Sequence, residues 1–310
     1  MPPSQPLIRR ETWLAWLLAA PFTLMLLGLL VAPFLSIAIK SFSGSSSFGL
    51  PFLGGADGIV GLQPTTAHYV AILTEPHNQQ VILVTLAISA VVATLLTLIG
   101  IGTGYYMARR PGLAPTISAI VTYPSLAPAV TIIFAILWFM APTGPVNHIL
   151  FQQLELIDEP LQFTGTFTAI VLGDLALFST LAVRMMASLF EMIEPALEDA
   201  SSSLGATFRQ TFLSIVLPLA APGLAAVWVF IFIRTMVAYV AALVLGGGAK
   251  GIVVLPLEIF SRIQSLGISG SMAQICAFAV VLATITLLGR AVYLAIVRRA
   301  FRDRLQGEIL

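Results

Sequence analysis

The stretch Glu191-Met-Ile-Glu-Pro-Ala-Leu-Glu-Asp-Ala-Ser-Ser-Ser-Leu-Gly-Ala-Thr-Phe-Arg-Gln-Thr-Phe-Leu-Ser-Ile-Val-Leu-Pro-Leu-Ala-Ala-Pro222 lies between two long apolar runs. Its local chemistry is legible. Glu194-Pro195 starts a helix, because proline suits the first helical position, where its missing N–H costs nothing. Glu194, Glu198 and Asp199 crowd the first turns, where acidic groups are favoured by the helix dipole. Ala200 and the run Ser201–Ser203 give a small-residue surface that a partner can approach closely. Gly205 then permits a sharp turn that a side chain would hinder. A second amphipathic stretch, Phe208–Val216, leads back to apolar sequence, and Pro218 and Pro222 open the next run. Such a short acidic helix, held by a glycine turn, has the form of a plug for a groove in a soluble partner. An ordinary solvated loop is the competing reading.

Working outward, the chain is dominated by apolar runs. Of its 310 residues 58% are hydrophobic and 9% charged, against about 25% charged in a soluble domain. The mean hydropathy is +0.98, more apolar surface than one core of this size could hide. A bilayer-spanning helix needs about 20 apolar residues. Six stretches qualify: Trp13–Ile39, Val81–Met107, Pro115–Met140, Thr166–Phe190, Leu219–Leu245 and Met272–Val297. Each must be helical, since lipid offers no water to unpaired backbone groups. The fold class is therefore all-α, a polytopic membrane protein with six transmembrane helices. Residues 1–12 form an N-terminal tail, 13–300 the transmembrane domain with its loop at about 191–217, and 301–310 a C-terminal tail. The first run is too long for an ordinary signal-peptide core and reads as an uncleaved span.

Charge sets the orientation. Arg9 and Arg10 precede the first span, Arg109 and Arg110 follow the second, Arg184 and Arg209 flank the loop after the fourth, and Arg298, Arg299, Arg302 and Arg304 follow the sixth. The opposite loops hold Lys40, Lys250 and Arg262. Both termini are thus cytoplasmic by the positive-inside rule. The segment Ser41–Gln80, Gly/Ser-rich at first, reads as a flexible external connection. Val146–Leu156 reads as a short amphipathic helix on the outer surface. Pro115, Pro124 and Pro128 bend or break the third span, which places it near a pathway or marks a simple packing kink.

The loop resembles the EAA loop of ABC importer permeases: Glu-Ala-Ala, three residues, Gly-Ala, then spaced Phe, Ile and Leu-Pro-Leu. The matching residues are Asp199, Ala200, Ser201, Gly205, Ala206, Phe212, Ile215, Leu217, Pro218, Leu219 and Pro222. Asp199 stands where Glu is usual, and Ser201 where Ala is usual. Asp199 keeps the charge one methylene shorter, with Glu198 beside it as the alternative contact. Tyr69-Val-Ala-Ile-Leu, Tyr105-Tyr-Met-Ala-Arg-Arg, Pro128, Gly144, Asn147 and Leu245-Gly-Gly-Gly resemble the polyamine, ferric-iron and phosphonate branch. The resemblance covers roughly Thr65 to the C-terminus. It implies a MetI-like fold and a place in the bacterial inner membrane. The implied partners are an ABC ATPase subunit dimer, a second permease subunit (as a heterodimer) and an extracytoplasmic solute-binding protein. It makes Glu198, Asp199, Ala200, Ser201, Gly205 and Ala206 the ATPase-docking residues. The implied substrate is a polyamine or similar small organic cation, with ferric iron and phosphonates as alternatives.

No Gly-x-x-x-x-Gly-Lys-Ser/Thr phosphate loop occurs in the chain. The chain is therefore read as a non-enzyme that binds no cofactor, with ATP and Mg on the partner ATPase and no catalytic constellation. Basic residues end apolar runs rather than forming a stripe, which gives no reason to expect nucleic acid. His68, His77 and His148 lack ligand spacing, and Cys276 sits in an apolar run, so no metal is expected. Asp174 and Arg234 fall inside spans, where charge is costly and usually faces a cavity or a partner. With Pro124 and Pro128 they are the candidate pathway residues; the competing reading is a structural ion pair, or a pair with the other permease subunit. A secondary transporter or channel would share the spans, prolines and buried charges but would leave the acidic loop unexplained.

Overall fold

The computed structural model describes residues 17, 19–44, 64–110, 112, 114–248, 251–265 and 271–307. The N-terminal tail, the glycine-rich part of the external connection, Lys250 and the last three residues lie outside them. Among the described residues the chain is helical, with one isolated bridge between Ser43 and Pro64. Five helices are long and apolar enough to cross a membrane. They are α1 (Ala19–Ser41), α3 (Pro76–Arg109), α6 (Phe167–Glu191), α8 (Phe208–Met236) and α11 (Met272–Gly307, apolar to Arg298). Between them stand α2 (Ala67–Thr74), α4 (Ala114–Leu126), α5 (Ala129–Phe139), α7 (Pro195–Ser203), α9 (Val240–Leu245) and α10 (Leu255–Gln264).

The third expected span is not one helix. It is the pair α4 and α5, broken where Pro128 takes an extended conformation (φ −55°, ψ 140°) as the N-cap of α5. Proline cannot donate to the preceding turn, and it biases the residue before it away from the helical region. The fifth span also differs from expectation. It begins at Phe208 rather than Leu219 and ends at Met236 rather than Leu245. Thr207 and Gln210 form a reciprocal capping box that starts the helix eleven residues early. Pro218 and Pro222 therefore lie within α8 instead of opening it. Pro218 has no N–H for the Ser214 carbonyl, and the turn before it widens into a π-helical one over Phe212–Val216. In the segment expected to be an external connection, residues 67–74 are α2, and α3 begins at Pro76.

The chain divides into two compact units, Met1–Glu75 with Ser261–Val281, and Pro76–Phe260 with Leu282–Leu310. In the first, Tyr69 of α2 clasps the end of α1: its hydroxyl is 2.6 Å from Ser41 Oγ and its ring 5.0 Å from Phe42. Within the same unit the Arg262 guanidinium sits 4.6 Å from the centre of the Phe278 ring.

The second unit holds the main core. Ile88, Val92 and Leu96 of α3 meet Ile170 and Met186 of α6, Ile231 of α8 and Leu245 of α9. Gly100 and Gly104 let α3 lie directly on α6. A Cβ at Gly104 would stand 2.6 Å from Met186 Cβ and 2.8 Å from the Ala187 nitrogen. Small residues four apart are the usual means of close helix approach in membranes, where apolar burial alone does not drive association. The segment expected to be an outer amphipathic helix is a single turn, Pro145–Asn147, running into a π turn, His148–Gln153. Asn147 is buried there and bonds the Ala141 and Leu161 carbonyls and the Leu161 amide at 2.9, 3.1 and 2.7 Å.

Candidate functional site

Helix α6 ends at Glu191, and the chain turns through Ile193, which is buried. Pro195 then occupies the first position of α7, with Glu194 as the N-cap. At the other end the Gly205 N–H bonds the Ser202 carbonyl at 2.9 Å, and the Ala206 N–H bonds the Ser201 carbonyl at 3.2 Å. This paired closure needs a left-handed residue, and Gly205 supplies it at φ +87°. Thr207 then caps α8 two residues later.

The inner face of α7 is tied to two helices, α3 and α8. The Glu198 carboxylate accepts a hydrogen bond from Arg109 Nε at 2.7 Å and from the Tyr105 hydroxyl at 2.5 Å. Arg109 also donates from Nη2 to the Ile193 carbonyl at 2.9 Å. The two charged side chains are only 15% and 18% exposed. A pair this far from water, with hydrogen bonds on both carboxylate oxygens, is stronger than an exposed surface pair. Tyr105 is held in turn by edge-on contacts to Phe190 and Phe212 at 5.5 and 5.1 Å. Beneath it Phe190, Ile193, Val216 and Ala220 form a closed apolar cluster. Ser201 is buried and sits 2.9 Å, Oγ to Oγ1, from Thr211 of α8.

The outer face of α7 carries Asp199, Ala200, Ser202 and Ser203, all exposed. The Asp199 carboxylate bonds no described residue; its backbone carbonyl takes the Ser202 and Ser203 hydroxyls at 2.8 and 2.9 Å. Leu204, at the tip, is 90% exposed, a large apolar side chain standing free beside small polar ones.

The six residues expected at this site thus separate into two sets. Asp199, Ala200 and Gly205 face outward, Ser201 and Glu198 face inward, and Ala206 is half-buried. Tyr105 and Arg109 complete the inner set and were not read from sequence as part of it. The signal was present: they stand four apart on one helical face, the spacing at which side chains act together.

The expected pathway residues do not form one cluster. Asp174 of α6 is 3% exposed, and its Oδ1 has no hydrogen-bond partner among the described residues. Arg234 is exposed in the last turn of α8 and makes no ion pair with Asp174 within the chain. Pro128 marks the α4–α5 break, and Pro124 lies within α4. Around that break lies an apolar cleft of about 540 Å³, lined by Tyr123, Ala127, Thr131, Trp138, Ala176 and Ser179 among others. Among the described residues no three His, Cys, Asp or Glu side chains gather as metal ligands would.

Residues 97–302 match the family described as the binding-protein-dependent transport system inner membrane component. The match covers more than half of the chain, and the chain belongs to that family. Over 173 residues it is 30% identical to the molybdenum transport system permease protein ModB of Haemophilus influenzae, covering 56% of this chain and 73% of that one. Over 168 residues it is 28% identical to the spermidine/putrescine transport system permease protein PotB of Escherichia coli strain K12, covering 53% and 60%. Among solved structures it is similar to a chain of a bacterial alginate ABC transporter in complex with its alginate-bound periplasmic protein (TM-score 0.74, 17% identity, 94% and 96% coverage). A second similar chain belongs to the inward-facing MetNI methionine ABC transporter (TM-score 0.52, 22% identity, 73% and 99% coverage). At these identities the structures speak to the fold alone, and that fold is the MetI-like one implied by the loop from Asp199 to Pro222.

Proposed function

We propose that this inner-membrane component carries a polyamine or similar small organic cation, and that ATP hydrolysed on a separate subunit dimer drives the transport. The observation that carries the reading is the two-faced helix α7. Its inner face is bonded to α3 through Glu198, while Asp199 and Leu204 stand free on its outer side. An exposed leucine flanked by small polar residues fits an apolar socket rimmed by polar groups in a soluble partner. ATP and Mg bind that partner in this reading. Its closure pushes α7, and the spans respond as rigid bodies that alternate access to the pathway. A second, different permease chain completes the pathway, and an extracytoplasmic binding protein delivers the solute. Both termini lie on the ATPase side.

The substrate class rests on the resemblance of the flanking motifs to the polyamine branch, on the spermidine/putrescine relative, and on Asp174. A buried carboxylate oxygen with no partner among the described residues suits a cationic guest better than an anion. Ferric iron and phosphonates remain alternatives within the branch, and the molybdenum transport relative adds molybdenum to them. Asp174 and the proline-broken α4–α5 segment are the proposed pathway elements.

Mild extraction of the tagged chain, followed by mass spectrometry of what accompanies it, tests the reading. Recovery of a phosphate-loop ATPase, a second multi-span protein and a soluble binding protein supports it. Recovery of the chain alone, repeated under crosslinking, favours a secondary transporter or channel. Thermal shift of the binding protein with spermidine, putrescine and molybdate then separates cation from oxyanion.

A further inference from the structure

The docking helix reaches α6 and α8 through the chain itself, since it lies between them. Its link to α3 is of a different kind. Glu198 and Arg109 are 89 positions apart in sequence, yet both carboxylate oxygens of Glu198 are taken by α3, one by Arg109 Nε and one by the Tyr105 hydroxyl. The same guanidinium reaches past the carboxylate to the Ile193 carbonyl, in the turn that joins α6 to α7. A single arginine therefore holds both the helix and the turn leading into it. Behind it the Tyr105 ring is wedged among Phe190, Phe208 and Phe212 at 5.5, 5.9 and 5.1 Å. Nine residues before Arg109, Gly100 begins the stretch in which α3 lies backbone-close on α6. The inner end of α3 thus has no slack on either side of the ion pair.

We propose that Tyr105 and Arg109 are positioning residues that gear α3 to the docking helix, so that α3 and α7 travel as one body when a partner displaces α7. The proposal rests on the reading of α7 as the docking element. Neither residue needs to touch the partner or the solute: each acts through the Glu198 carboxylate. The arrangement divides the acidic pair at the start of α7 between two tasks. Glu198 faces the chain's own α3, and Asp199 is left free for an outside contact. Without the gear, a push on α7 would reach α6 and α8 by covalent connection but would reach α3 only through apolar packing, which can slide.

The experiment uses the full chain in its co-purified complex, reconstituted in lipid nanodiscs. In a Cys276→Ser background, spin labels are placed at Gly102→Cys and Ala196→Cys. Both positions are exposed, and a Cβ at Gly102 meets nothing within 4 Å. The distance between labels is read without nucleotide and after trapping with ATP and vanadate. The gear predicts a change below about 2 Å, the size of an ordinary helix shift at an interface, with a narrow distribution in both states. Glu198→Gln, which keeps the side chain's length, and Arg109→Gln, which removes the guanidinium, are predicted to broaden the distribution and move it beyond that limit on trapping. The charge exchange of Arg109→Glu with Glu198→Arg is predicted to narrow it again, which a merely space-filling role would not do. Tyr105→Phe, which keeps the ring and loses one bond, is predicted to fall between. A large movement in the parent complex overturns the proposal, as do single variants indistinguishable from the parent, while the ATPase remains bound. A parent complex that retains no ATPase overturns the docking reading and the gear together.

Discussion

Glu198 of α7 lies 2.7 Å from Arg109 of α3, an ion pair closed over 89 positions of sequence and largely hidden from water. The pair makes the loop between α6 and α8 a fixed part of the membrane domain rather than an appendage of it. Its worth is accessible to a double-variant cycle. Residues that share a hydrogen-bonded ion pair commonly couple by about 0.5–3 kcal/mol. Glu198→Gln, Arg109→Gln and the double variant, compared by unfolding in detergent, are predicted to show coupling in that range. A cycle that closes additively would mean the contact adds nothing to stability.

Gly205 is the turn on which the proposed docking surface depends. A Cβ there meets no atom within 4 Å, so the chain itself has room for a side chain. The cost is in the backbone, about 1–2 kcal/mol for an L-residue in the left-handed region, which is small against the stability of the whole. Gly205→Asp is predicted to insert and accumulate in the membrane while losing transport, because the added bulk and charge project from the docking side. Uptake at the parent rate would remove the turn from the coupling mechanism.

Gly100 and Gly104 both sit against Met186, but with different consequences. A Cβ at Gly100 comes within 2.7 Å of Met186 Cγ, the middle of a flexible side chain. At Gly104 the obstacles include the Ala187 nitrogen and the Met186 carbonyl carbon, both at 2.8 Å, which are backbone and cannot swing aside. Overpacking of this kind costs about 1–3 kcal/mol. Gly104→Ala is therefore predicted to lower the detergent melting temperature more than Gly100→Ala, and the reverse order would contradict the packing described.

Leu204, at 90%, is the most exposed large apolar side chain of the loop. Full burial of a leucine contributes about 1.5–3 kcal/mol, and each 1.4 kcal/mol is roughly tenfold in affinity. Leu204→Ala is predicted to weaken retention of the ATPase by about ten- to a hundredfold on the same scale, measured by titrating purified ATPase against the reconstituted chain. Unchanged retention would place the contact elsewhere.

Asp174→Asn keeps the size of the side chain and removes its charge. It is predicted to reduce uptake of labelled spermidine through a raised KM while leaving ATPase assembly intact. Kinetics identical to the parent would take Asp174 out of the pathway.

Much of this protein is dictated within short windows of its sequence. Runs of some twenty apolar residues must become helices, because lipid leaves backbone groups no other partner. Glu194-Pro195 starts α7 and Gly205 ends it for reasons that involve only neighbours within five residues. The spacing from Asp199 to Pro222 carries the family. Where the reading from sequence departed from the structure, the deciding group lay just beyond the window used or far outside it. The capping box at Thr207 starts α8 ahead of its apolar run, so hydropathy alone placed the start at Leu219. Pro124 and Pro128 looked alike in sequence, yet Pro124 is carried within α4 and only Pro128 marks a break. The direction in which Glu198 faces was not legible at all. It depends on Arg109 being delivered to the same place by a helix 34 residues long, seated on α6 through Gly104. Local chemistry sets which segments are helices and where they turn; which of two adjacent acids turns inward is decided by the helix that packing brings beside them.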